Sequence, residues 1–215
     1  MLESERQSCE YQSCEQLIHL FETTFYADYQ TRLVRGGDEP IYLPASLTGS
    51  DNQIIFARGF FSSGLHETAH WCVAGAERRK LEDFGYWYVP DGRNEAQQRA
   101  FELVEVHPQA YEQCFTLAVG RPFNISADNL TGKPGATDAF ELNVHRLTFA
   151  LLFENQLTGR AKQFFDALCD AWQKPFSSWQ AAAKQRLLNR IEWLEANLKA
   201  NLKASQAELK HSEHC

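Results

Sequence analysis

Two histidines four residues apart, with a glutamate beside the first, are the residues of this chain best placed to do chemistry: His66-Glu67-Thr68-Ala69-His70, within FFSSGLHETAHWCVAG at 60–75. On an α-helix, residues four apart share a face one turn apart. The two imidazoles can therefore offer nitrogens to one metal ion, with Glu67 standing next to it. A chain of this composition is expected to contain about 0.02 such matches by chance. The pattern is uncommon, yet it is not decisive until a further ligand is found.

The stretch EAQQRAFELVEV at 95–106 offers two carboxylates, Glu102 and Glu105, three apart on one helical face. Either would complete a set of two histidines and one carboxylate, which leaves coordination positions open for water, dioxygen or substrate. Glu105 is the better candidate because it lies between Val104 and Val106, an unusual place for an idle charge. His107 stands before Pro108, at an expected break in the helix, and is the weaker choice. His19 and His145 fall in helical patterns and read as core-edge or surface residues, and His211, His214 and Cys215 form a loose terminal cluster.

This donor set serves two chemistries. With zinc, Glu67 would be the general base acting on metal-bound water, giving a peptidase of the gluzincin kind. With Fe(II), two histidines and a carboxylate make the facial set of non-haem oxygenases, with dioxygen as co-substrate. Glu67 would then orient a ligand or metal-bound water. Spacing alone does not separate the two.

The elements that must hold these residues are legible in outline. Leu17, Ile18, Phe21 and Phe25 predict an amphipathic helix over 15–28. TRLVR, IYLPA and QIIFA predict short strands separated by turns at Gly36–Pro40 and LTGSDN, and DFGYWYVPDGR holds a further, aromatic strand candidate. Ser63 is a candidate N-cap for the histidine helix and Gly75 its end. Asn94, with Gln97, caps a helix from about Glu95 to Val106, and Pro108 opens another that closes at Gly120. Three helices follow at about 138–155, 160–172 and 177–210. The expected fold is α+β: a small mixed or antiparallel sheet with a zincin-like metal-binding helix, then a mainly helical C-terminal part. Residues 1–175 would form the metal-dependent domain. Residues 176–215, with Leu187, Ile191, Leu194, Leu198 and Leu202 in a near-heptad stripe, would form a coiled-coil-like arm suited to packing or self-association.

The chain has 215 residues, 44% of them hydrophobic and 13% aromatic, enough for a real core. A net charge of −7 argues against nucleic acid or an anionic membrane as partner. No apolar run approaches a membrane span, and the polar start MLESERQSCE is unlike a signal peptide, so a cytoplasmic setting is expected. The six cysteines include no Cys-x-x-Cys pair and read as reduced and mostly buried.

RLVRGGDEPIYLPA (32–45), ARGFFSSGLHETAHWCVAG (57–75), DFGYWYVPDGR (83–93), FELVEVHPQA (101–110) and PFNISADNL (122–130) together resemble the bacterial elongation factor P hydroxylase family. The resemblance implies a non-haem metal hydroxylase, most simply iron-dependent with zinc as a substitute. Its substrate would be the lysine of elongation factor P already extended with β-lysine. By the same resemblance His66, His70 and Glu105 are the metal ligands. A β-lysylated lysine carries two ammonium groups, which carboxylates near the metal would capture. Asp38, Glu39, Asp83, Asp91 and Asp128 are candidates for that role, and Tyr86, Trp87 and Tyr88 for sheathing the aliphatic stem.

Overall fold

The structure, a computed structural model, describes residues 3–85, 93–126 and 137–212, with side chains described for 10–85, 93–126 and 137–206. It opens with helix α1 (Glu3–Tyr29). Strands β1 (Thr31–Arg35) and β2 (Ile41–Leu43), the single-turn α2 (Ala45–Thr48) and β3 (Asn52–Phe56) follow. After a 3-10 turn come α3 (Phe61–Val73) and α4 (Glu95–Val119), then α5 (Asp138–Phe153), α6 (Gly159–Ala171) and α7 (Phe176–Ser212). The fold is α+β, a three-stranded sheet with a mostly helical remainder. No described helix is long and apolar enough to cross a membrane.

Strand β3 is central, pairing parallel with β1 and antiparallel with β2, so the sheet is mixed. Leu33, Tyr42, Ile54 and Phe56 point into the core on alternate positions, the period-two pattern of a half-buried sheet. On α1, Cys14, Leu17, Phe21 and Phe25 are buried at helical spacing, while Ile18 is half-buried at the stripe's edge. Phe21 and Phe25 meet Trp71 of α3 at centroid distances of 5.2 and 4.9 Å, and Phe164 of α6 closes the same aromatic cluster. Helix α3 approaches α1 at Gly64, where a Cβ would lie 2.8 Å from Leu17 Cδ2, so the glycine permits the contact. The cysteines at 14, 114 and 169 are buried free thiols and Cys72 is half-buried.

Four local expectations are corrected. Ser63 does not cap α3. It lies inside the helix, which starts at Phe61, and its Oγ accepts the Ala57 N–H at 2.9 Å, fastening the strand-to-helix turn. The helix ends at Ala74 rather than Gly75. Pro108 does not divide the second region, because α4 runs unbroken for 25 residues from its Asn94–Gln97 capping box to Gly120. The carbonyl that Pro108 leaves without its helical bond belongs to Val104, 38% exposed, where water can replace the missing N–H. The aromatic strand candidate at 83–93 begins within a 3-10 turn, Glu82–Gly85, with Asp83 and Phe84 at positive φ. Its residues 86–92 lie outside the described residues.

Helix α7 lies along α5. Ala183, Leu187 and Leu194 are buried. Arg190 pairs with Glu141 at 2.7 Å and Arg146 with Glu195 at 2.6 Å. Farther along, Leu198 is half-buried and Leu202 is 62% exposed, so only the end of the leucine stripe faces solvent.

Candidate metal centre

Helix α3 is held at both ends. At its start the Glu10 carboxylate accepts the Phe61 N–H at 2.9 Å, a negative charge on the positive end of the helix dipole. At its finish, Arg160 and Arg79 donate to the carbonyls of Cys72 and Ala74 at 2.6–3.1 Å. Between these anchors His66 and His70 project toward α4 from one face.

Helix α4 buries five polar residues, Glu102, Glu105, Gln109, Glu112 and Gln113, and Glu105 and Glu112 are the ones that meet that face. Glu105, Gln109 and Glu112 are three or four apart and share a side. His66 Nε2 lies 3.0 Å from His70 Nε2, and the Glu105 carboxylate stands 3.3 Å from His70 Nε2 and 3.8 Å from His66 Nε2. Ligand atoms of the three residues all lie within 4.8 Å of one another. Donors bound at about 2.0–2.2 Å to one ion stand about 3 Å apart. Two imidazole nitrogens and a buried carboxylate at these separations fit a divalent metal.

The ring of His66 is fixed from behind by a residue that sequence reasoning missed. Glu112 Oε2 is 2.8 Å from His66 Nδ1, which leaves Nε2 facing His70 and Glu105. The signal was present, since Glu112 lies seven residues after Glu105 and so on the same face of α4. Gln109 supports Glu105, donating to its Oε2 at 3.4 Å and to the Ser126 carbonyl at 2.7 Å, and it accepts the Ser126 N–H. The loop after α4 is thereby tied to the candidate ligand.

Glu102 is accounted for elsewhere. Its carboxylate accepts the Thr137 N–H and hydroxyl at 3.3 and 3.0 Å, joining α4 to the cap of α5. Glu105 is buried, but not by Val104, which is exposed. Sequence neighbours on a helix point about 100° apart, so the burial comes from α3 and from the Gln109 contact.

The charges are poised for a cation. Burial opposes protonation of His66, yet the hydrogen bond and charge of Glu112, with Glu105 and Glu67 behind them, prevail and raise it to about 10. Burial alone would raise the Glu105 carboxyl, but the two histidines and Gln109 hold it down at about 2. Glu67 goes the other way. Desolvation, reinforced by Glu105 and Asp83, keeps its carboxyl above the usual glutamate range despite both histidines.

The other candidates are dispersed. Asp38, in the β1–β2 turn, accepts from Arg58 Nε at 2.9 Å, and Glu39 beside it is exposed. Neither is hydrogen-bonded or ion-paired to the His66–His70–Glu105 group among the described residues. Asp83 accepts the Tyr42 N–H at 2.9 Å and lies close enough for its charge to act on Glu67. His107 and His19 are exposed, and His145 bonds Gln113 and Glu141. Tyr86, Trp87, Tyr88, Asp91 and Asp128 lie outside the described residues, as do His214 and Cys215.

A sequence model of the family described as elongation factor P hydroxylase matches residues 20–183, from within α1 to the first turns of α7. The chain belongs to the elongation factor P hydroxylase family. It is 54% identical over 154 residues to the elongation factor P lysine hydroxylase of Haemophilus influenzae, covering 72% of this chain and 86% of that protein. The match spans every residue of the centre from His66 to Glu112 and the loop that Gln109 holds. This membership does not favour the peptidase reading.

Proposed function

We propose that the chain is a metal-dependent hydroxylase, an oxidoreductase that acts in the cytoplasm on the β-lysylated lysine of elongation factor P. One observation carries the reading: His66, His70 and Glu105 converge, backed by Glu112 and Gln109, in a member of a hydroxylase family. The α3 helix would serve as a zincin-like metal helix, with Glu105 supplied from α4. Iron suits this donor set, with zinc able to occupy it. Bound iron would supply the dioxygen chemistry at positions that the three protein ligands leave open.

The chain's own residues do the rest. Glu112 holds a proton on His66 Nδ1 and thereby keeps Nε2 unprotonated once metal binds. Gln109 fixes the Glu105 carboxylate against rotation and ties the Ser126 backbone to the same side chain. Glu67, half-buried beside both histidines with its carboxyl pushed up by desolvation, is placed to orient substrate or metal-bound water. Asp83, on its turn beside Glu67, supplies negative charge where an ammonium group of the substrate would arrive. Asp38, Glu39, Tyr86, Trp87, Asp91 and Asp128 are proposed to line the approach of the modified lysine.

The test is oxygen-free purification and metal analysis, then incubation with β-lysylated elongation factor P in air. Oxygen added to the factor, abolished by a chelator and restored by Fe(II), supports the reading. Unaltered factor in the presence of stoichiometric iron and reductant would refute it.

A further inference from the structure

A cavity of about 640 Å³ lies between the C-terminal end of α4, α5 and the first turns of α7. Its walls carry four cationic side chains, Arg121, Lys174, Arg186 and Arg190, and among the described residues no carboxylate, in a chain of net charge −7. Two of the four are braced from outside the lining: Arg121 by Glu10 at 2.8 Å and Arg190 by Glu141 at 2.7 Å. The side chains of Lys174 and Arg186 have no hydrogen bond or ion pair with any described residue. Lys174 lies across Gly120, where a Cβ would sit 1.8 Å from its Nζ, so the bare backbone makes room for the ammonium.

The cavity also has flat apolar faces. Trp179 is held by its Nε1–H to the Lys174 carbonyl at 3.1 Å and by Phe176 at 4.9 Å between ring centroids, and Phe123 lines the cavity as well. Four like charges around one cavity repel one another, and the unpaired two gain most from an anion. Guanidinium groups pair phosphate oxygens with two parallel hydrogen bonds, and fixed aromatic faces stack on ring systems. A volume of this size suits a small organic ligand.

We infer that this cavity binds a nucleotide-class ligand, with phosphate groups at the Lys174–Arg186 side and a planar ring against Trp179 and Phe123. The site is separate from the metal centre: none of its lining residues is a candidate ligand, and Arg186 and Arg190 lie beyond residue 183, where the family match ends. The inference does not depend on the hydroxylase reading.

Calorimetric titration of the full chain with ATP, inorganic pyrophosphate, adenosine and citrate tests it. ATP should bind more tightly than pyrophosphate or adenosine, because charge and ring act together. Lys174→Ala combined with Arg186→Ala should weaken ATP by about tenfold or more. Metal content and melting temperature should not change, since both side chains are exposed and unpaired. Three results would each overturn the assignment: ATP failing to bind, the double variant binding ATP as the parent does, or citrate binding as tightly as ATP.

Discussion

Glu112 and His66 form the relationship on which the centre turns: a carboxylate oxygen 2.8 Å from Nδ1, on the side of the ring away from His70 and Glu105. The contact selects which imidazole nitrogen is free for a metal, and it comes from the same helix that supplies the third candidate ligand. Replacing Glu112 by Gln keeps a neutral acceptor, and replacing it by Ala removes it. Metal affinity measured by competition with a chelator should fall about 10–100-fold in Glu112→Ala and less in Glu112→Gln. Equal affinity in all three proteins would mean that the contact does not orient the ring.

His66→Ala and His70→Ala should each lose stoichiometric metal after dialysis while keeping the helical circular dichroism of the parent. Packing around Trp71 and Phe21, not the imidazoles, holds α3 in place. A double variant that retains metal would place the site elsewhere.

Glu67→Gln should impair hydroxylation less than His70→Ala, with metal retained. In a zinc peptidase the same change would remove activity by several orders of magnitude, because the general base is lost.

The arm is tied to the body by charge as well as by leucines. Glu141 is held below its ordinary value of 4.5, chiefly by the Arg190 hydrogen bonds, with His145 assisting against partial burial. A depressed carboxylate pKa gives stability that is present above 4.5 and is lost as pH falls through the folded value. Hydrogen exchange in α7 should therefore quicken below pH 4.5 before the sheet is affected, and Arg190→Ala should remove that step. Truncation adds a second reading. Ending the chain after 185 removes the buried Leu187 and Leu194, worth about 1.5–3 kcal/mol each, and should lower the melting temperature. Ending it after 199 should leave the melting temperature near that of the full chain.

Much of this was readable from residue types and spacing because it rests on local physics. The α1 stripe of Leu17, Phe21 and Phe25, the Asn94–Gln97 box and the strands near 31–35, 41–43 and 52–56 depend on periodicity and short-range hydrogen bonds. The bringing together of His66, His70 and Glu105 was legible for a different reason: two helical faces each carried the right residue types. What was not legible depended on partners distant in sequence. Pro108 stays helical because one lost bond is small beside the packing of a 25-residue helix. Ser63 was spent on Ala57 instead of a cap, and only the fold shows that Glu102 belongs to Thr137. Glu112 lies past the break expected at Pro108, so its face could not be read as continuous with that of Glu105 until α4 proved to be a single helix.

The central claim, that this centre adds oxygen to a modified lysine, is tested most directly by mass. Protein loaded with Fe(II) without oxygen, then mixed in air with reductant and β-lysylated elongation factor P, should raise the mass of the modified lysine by one oxygen atom. The zinc-loaded protein and Glu105→Ala should give no gain. Cleavage of the factor by the zinc form, or an unchanged lysine with the iron form fully loaded, would contradict the account.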